Sequence, residues 1–279
     1  MTEIAVDNRL SNLSPAAARL GATLARPRAI AVLCVVTLAG IGWVYLGFAA
    51  GRAASAEGGL PGLLAALCGP SSTAGGLAAF GFMVAMWSAM TLAMMVPSAG
   101  PMILTYAEIA DTAAGKGAAI VSPFVLAGGY TAVWLGFSVA AAALQYVLNA
   151  EALLAAGTGT PGFFLSGALF IGAGLYQFST LKQACLALCQ RPFPFLFANW
   201  TTRTSGVFRL GLRQGLHCLG CCWAMMLLMF AVGVMNTAWM VALGIIMTTE
   251  KLTTTPRFSR VLGVAFIATG AAFIVSGFL

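Results

Sequence analysis

Long uncharged apolar stretches alternate with short polar ones along most of this chain. Five are clean: roughly residues 29–50, 77–96, 123–148, 163–180 and 261–278. At about 1.5 Å per residue, a helix of each length spans about 30 Å of hydrocarbon. A sixth region, 214–249, is apolar for roughly twice a span. Gly233-Val-Met-Asn236 lies near its middle. Glycine and asparagine tolerate the backbone of a tight turn. The pattern therefore predicts two short helices there, near 215–233 and 236–249. The expected fold is all-α, a polytopic membrane helix bundle of about seven transmembrane helices over 29–279.

Composition removes the competing classes. Hydrophobic residues make up 60% of the 279 residues and charged residues 8%, with a mean hydropathy of +0.94. A soluble domain carries about 25% charged residues, and a disordered chain is polar. The net charge of +7 reads as membrane topology rather than nucleic-acid binding. With seven spans and a cytoplasmic N-terminus, the inner side holds Arg9, Arg19, Arg26, Arg28, Lys116, Lys182, Arg191, Arg203, Arg209, Arg213, Lys251, Arg257 and Arg260. Arg52 alone lies outside. One unbroken helix over 214–249 would carry the last three across and spoil this asymmetry, so the positive-inside rule supports the hairpin.

Residues 1–28 read as a cytoplasmic tail. Their Ala- and Arg-rich composition also suits a transit peptide, whereas a secretory signal is disfavoured by the long apolar run that follows. The loop at 51–76 faces out and that at 97–122 faces in. The loop at 181–213 is basic and aromatic and suits the membrane surface.

Sulfur is concentrated. Apart from Met1, the methionines fall in two segments, 83–102 and 225–247. The first holds Met83, Met86, Met90, Met94, Met95 and Met102; the second holds Met225, Met226, Met229, Met235, Met240 and Met247. Beside the second stands His217-Cys218-Leu-Gly-Cys221-Cys222, which contains the single histidine of the chain. At about 100° per residue, His217, Cys221, Met225, Cys218, Met229 and Cys222 occupy one helix face spanning about 140°. By the same rule, Met83, Met86, Met90 and Met94 share about 80° of the second span. Adjacent Cys221 and Cys222 are expected to point to different sides, which disfavours a disulfide between them.

Thiolate and thioether ligands are soft and favour Cu(I); thiolates with imidazole also suit Zn(II). The methionine stripe alone reads first as packing, because methionine fills gaps in apolar cores. The histidine and cysteines together read as a metal or redox site. Antiparallel depths set Met94 level with His217, and Met90 level with Cys221. Sulfur clustering favours contact of Met90 or Met94 with His217, Cys218 or Cys221, and topology permits it without requiring it; the alternative is that each methionine stripe packs against another helix. Cys185 and Cys189, four apart, are candidates for metal uptake or transfer near the cytoplasmic face. Glu108 and Asp111 read as a solvated helix face. Glu250-Lys251 reads as a local ion pair or as a tether for the basic loop. Cys34 and Cys68 stand alone. No hydrolase triad, phosphate-cradling loop or intramembrane carboxylate pair is present, so an enzyme is disfavoured.

Several motifs occur together in order. They are Met86-Trp-Ser-Ala-Met90-Thr-Leu-Ala-Met94-Met95-Val-Pro97, Gly174-Leu-Tyr-Gln177, Leu181-Lys182-Gln-Ala-Cys185-Leu-Ala-Leu-Cys189, Gly215-Leu-His-Cys218-Leu-Gly-Cys221-Cys222-Trp223, Gly233-Val-Met-Asn236, Trp239-Met240 and Glu250-Lys251. Over roughly 77–275 they resemble the bacterial family of predicted metal-binding integral membrane proteins, domain-of-unknown-function family 2182. The resemblance implies an inner-membrane protein that binds a metal, with no assigned reaction. Its candidate ligands here are Met86, Met90, Met94, Met95, Cys185, Cys189, His217, Cys218, Cys221 and Cys222.

The resulting expectation is a Cu(I)-handling protein of the inner membrane, serving delivery, export or cuproenzyme loading. Its partners would be the lipid bilayer and a metal chaperone, a cuproenzyme or a larger membrane complex. The alternatives are a structural or assembly subunit of such a complex, or a thiol–disulfide carrier using Cys218 and Cys221.

Overall fold

A computed structural model describes residues 27–54, 76–117, 119–151, 162–234, 236–253 and 255–278. Most of the N-terminal tail, Cys68 and Met235 lie outside the described residues. The described chain is all helix and loop: α1 Pro27–Ala54, α2 Leu77–Ser98, α3 Gly100–Ala114, α4 Pro123–Ala150, α5 Phe163–Tyr176, α6 Thr180–Gln190, α7 Pro192–Ala198, α8 Thr204–Val232, α9 Thr237–Leu252 and α10 Pro256–Ser276.

Among these residues, α1, α2, α4, α8 and α10 are long and apolar enough to cross a membrane. A sixth span results if α5 and α6, bent by 66° to each other, count as one. Two features lower the expected count of seven. The stretch at 163–180 does not run straight: α5 ends at Tyr176, and the Ser179 side chain caps α6 by accepting from the Lys182 amide. The sixth apolar run does break at Gly233, whose φ of 98° is open to glycine, and Asn236 caps the next helix. However, α9 has 16 residues, about 24 Å of helix, short of the hydrocarbon thickness.

Two expected loops are largely helical. Within 97–122, α2 continues through Pro97 to Ser98, and α3 follows after the single residue Ala99. Pro97 gives no amide to the Ala93 carbonyl one turn earlier, and the Trp43 indole N–H donates to that carbonyl instead, at 3.1 Å. Within 181–213, α6 and α7 fold back on the bundle, and α8 begins at Thr204, ten residues before the expected boundary.

Two interfaces position the interior. α5 runs against α10, and α4 runs against α8. At the second, a Cβ on Gly129 would collide with the Phe208 carbonyl, and one on Gly211 with the Leu126 carbonyl. Small residues let membrane helices approach this closely. α9 folds back beside α2, so that Lys251 near its end meets Ser98 at the end of α2. Outward-facing side chains such as Val36, Val44, Val261 and Val264 are exposed and apolar, as a lipid-facing surface requires.

Candidate metal centre

α8 carries the sulfur cluster. Cys218, Cys221 and Cys222 are buried, and their Sγ atoms all lie within 4.8 Å of one another. Residues three and four apart share a helix face, which explains Cys218 with Cys221 and Cys222. The pair Cys221 and Cys222 departs from expectation. Their Sγ atoms are 3.3 Å apart and the thiols are free. Neighbouring Cβ atoms on a helix diverge by about 100°, but one rotatable bond carries each sulfur toward the other. A metal with thiolate bonds of about 2.3 Å holds three sulfurs about 4 Å apart. Small rotamer changes therefore suit this trio to one soft ion.

The surrounding helices add polar groups. Gly211 and Gly215 bring α4 close, and the Tyr130 hydroxyl reaches Cys218 Sγ at 2.9 Å while donating to the Met95 carbonyl at 3.1 Å. From α9, Lys251 Nζ donates to Ser98 Oγ at 2.6 Å and to Cys218 Sγ at 3.0 Å. From α6, Cys189 Sγ stands 4.0 Å from Cys221 Sγ. Cys185, one turn earlier, lies against Gly220, where a Cβ would come within 2.6 Å of its sulfur. A cleft of about 110 Å³ reaches the cluster, lined among others by Met102, Tyr130, Cys189, Cys218 and Lys251.

The remaining candidates are placed differently. His217 is half-buried at the margin of the face, edge-on to Phe195 at 5.5 Å, with Nδ1 buried and without a hydrogen bond. Met86, Met90 and Met94 are buried in the core, as are Met225 and Met229. Met94 lies over Gly244 of α9, its Cγ 3.7 Å from where a Cβ would stand. Toward Cys218, α2 is linked by way of Tyr130, whose hydroxyl joins the Met95 carbonyl to Cys218 Sγ, in place of the expected contact from Met90 or Met94. Helices α2 and α8 also meet directly where Trp87 and Phe230 lie 5.1 Å apart. Cys34 is buried on α1.

The sequence reading missed the buried charges. Lys182 is fully buried, pairs with Glu250 at 2.8 Å and donates to the Cys221 carbonyl at 3.1 Å. Ser259 donates to the other Glu250 oxygen at 2.6 Å. Glu250 thus tethers the former basic loop and makes no pair with Lys251, since adjacent helix residues face different ways. The available signal was the position of Lys182, Glu250 and Lys251 at the edges of uncharged spans. Ionisable groups at such positions are expensive to bury and are kept for a reason.

A protein-family model described as PpoB2, copper chaperone, matches residues 84–273. No curated protein and no solved structure matches the chain. The matched region contains the thiol cluster, Tyr130 and Lys251. It names copper where the sequence resemblance implied only a metal. The chain belongs to the PpoB2 copper chaperone family.

Proposed function

We propose that this protein is an integral membrane copper chaperone that holds Cu(I) on Cys218, Cys221 and Cys222 and hands it to a cuproenzyme. The observation that carries the reading is the convergence of three buried thiols within 4.8 Å. Soft donors prefer Cu(I) over Zn(II). Copper is cargo here, so the site must also release it. Cys189, 4.0 Å from Cys221 on a separate helix, is suited to exchange ligands with the trio. The buried thioethers of α2 and α8 are reserve ligands, and His217 at the margin is an outer one. The protein itself performs no chemical conversion.

In the same reading the bundle sits in a bacterial inner membrane with its N-terminus in the cytoplasm. The short α9 and the bent α5–α6 pair then complete seven crossings. The Lys251–Ser98 bond supports this, because it joins the ends of two helices that must run in the same direction. Lys182 and Lys251 are buried. The other inner basic residues still far outnumber Arg52.

Anaerobic Cu(I) titration of detergent-purified protein tests the reading. Wild type should bind copper stoichiometrically and out-compete Zn(II), and Cys218→Ser with Cys221→Ser should abolish binding. Unchanged stoichiometry in the folded double variant refutes the site.

A further inference from the structure

Lys251 is the charge that the copper reading leaves unused. It is buried, and its ammonium reaches Cys218 Sγ at 3.0 Å and Ser98 Oγ at 2.6 Å. Among the described residues, no carboxylate pairs with it. The adjacent Glu250 is already committed to Lys182. At the foot of a narrow cleft, and only 8% exposed, an ammonium without a counter-charge is unfavourable. Its hydrogen-bond partners are the Ser98 hydroxyl and the Cys218 thiol, and the thiol is the more acidic of the two and the one able to carry a compensating charge.

The need runs the other way as well. A monovalent copper ion shared by two thiolates leaves one uncompensated negative charge, and by three leaves two. Inside a bundle of this hydropathy, that charge is as costly as the lone lysine. One ammonium cancels the whole excess of a two-thiolate site and half that of a three-thiolate site.

We infer that Lys251 is the built-in counter-ion of the copper–thiolate site, a positioning and affinity-setting residue that stays beside Cys218 when metal is bound. This rests on the trio being the copper site. It also assigns Ser98 a part. The hydroxyl accepts from the same ammonium that reaches Cys218, so the lysine is oriented by α2 while its charge serves α8. A purely structural Lys251, tying the end of α9 to the end of α2, is the competing account. In that account the bond to Ser98 matters and the charge does not.

The two accounts separate by variant. Cu(I) affinity is measured by anaerobic chelator competition in detergent, alongside unfolding temperature, for wild type, Lys251→Met, Lys251→Gln, Lys251→Arg and Ser98→Ala. The counter-ion account expects the two neutral variants to bind Cu(I) on the order of 100-fold more weakly, Lys251→Arg to stay within about tenfold, and Ser98→Ala, which loses the orienting bond and keeps the charge, to weaken binding by no more than about tenfold. Folded neutral variants that bind like wild type overturn it, as does a loss in Ser98→Ala equal to that in Lys251→Met. Should the neutral variants fail to fold, the exchange Lys251→Ser with Ser98→Lys returns an ammonium to the same point. That protein should recover binding to within about tenfold, and a folded exchange variant without binding overturns the inference. Failure of the underlying site looks different: wild type itself would then bind no Cu(I), whatever stands at 251.

Discussion

Lys182 Nζ lies 2.8 Å from Glu250 Oε2, with both side chains buried, and the pair joins the helix carrying Cys189 to the helix carrying Lys251. The lysine also donates to the Cys221 carbonyl, and Ser259 satisfies the second carboxylate oxygen. Three helices and the metal-site backbone therefore depend on one ion pair. Removing one partner leaves the other charge buried and unmatched, which costs about 3–5 kcal/mol. Lys182→Met or Glu250→Gln should lower unfolding stability in detergent by that order. The double change Lys182→Met with Glu250→Leu should recover much of the loss. A double variant no better than the worse single one would contradict this balance of charges.

Gly211 sits where α4 and α8 touch backbone to backbone. A larger side chain must push the helices apart, at a typical cost of about 1–3 kcal/mol or more. Gly211→Val should destabilise the protein and weaken copper binding together, because Tyr130 would lose its reach to Cys218. Gly128, with open space around it, is the control: Gly128→Ala should leave both measurements near wild type.

Cys189 and Cys185 share a helix but differ in reach. Only Cys189 comes within 4.0 Å of the trio among these two, while Cys185 rests on Gly220. Cys189→Ser should slow copper release to a chelator or acceptor by roughly tenfold or more, about 1.4 kcal/mol in barrier, with stoichiometry retained. Cys185→Ser should release at nearly the wild-type rate. Stopped-flow release kinetics distinguish the two, and equal rates in all three proteins would remove Cys189 from the exchange path.

Arg203 is exposed beside the start of α8, on the side to which the basic residues are assigned. A cysteine at 203 should react with an impermeant maleimide only after the cytoplasmic face is opened. Labelling from outside intact cells would reverse the proposed orientation.

The hydrophobic pattern was enough to place most helices, because an uncharged run of this length has one stable solution in lipid. It also located the break at Gly233, where glycine and a capping asparagine coincide. It could not see α3, since Gly100–Ala114 mixes charge and apolar residues like any loop of similar composition. Nor could it see the bend at Gln177–Ser179, which rests on a serine cap inside an apolar run. At the site, helical spacing brought Cys218, Cys221 and Cys222 to one face, but their sulfur rotamers were beyond it. Counting Lys182 and Lys251 as loop charges hid their burial. Tyr130 and Ser98 had no signal at all, because each reaches the cluster from a different helix.

The claim at the centre is that copper is held by the α8 thiols. X-ray absorption at the copper edge, on Cu(I)-loaded protein and on the Cys218→Ser/Cys221→Ser variant, addresses it most directly. A first shell of sulfur alone in the wild type, lost in the folded variant, is the predicted result. A shell dominated by nitrogen or oxygen, or a sulfur shell unchanged by the double substitution, would contradict it.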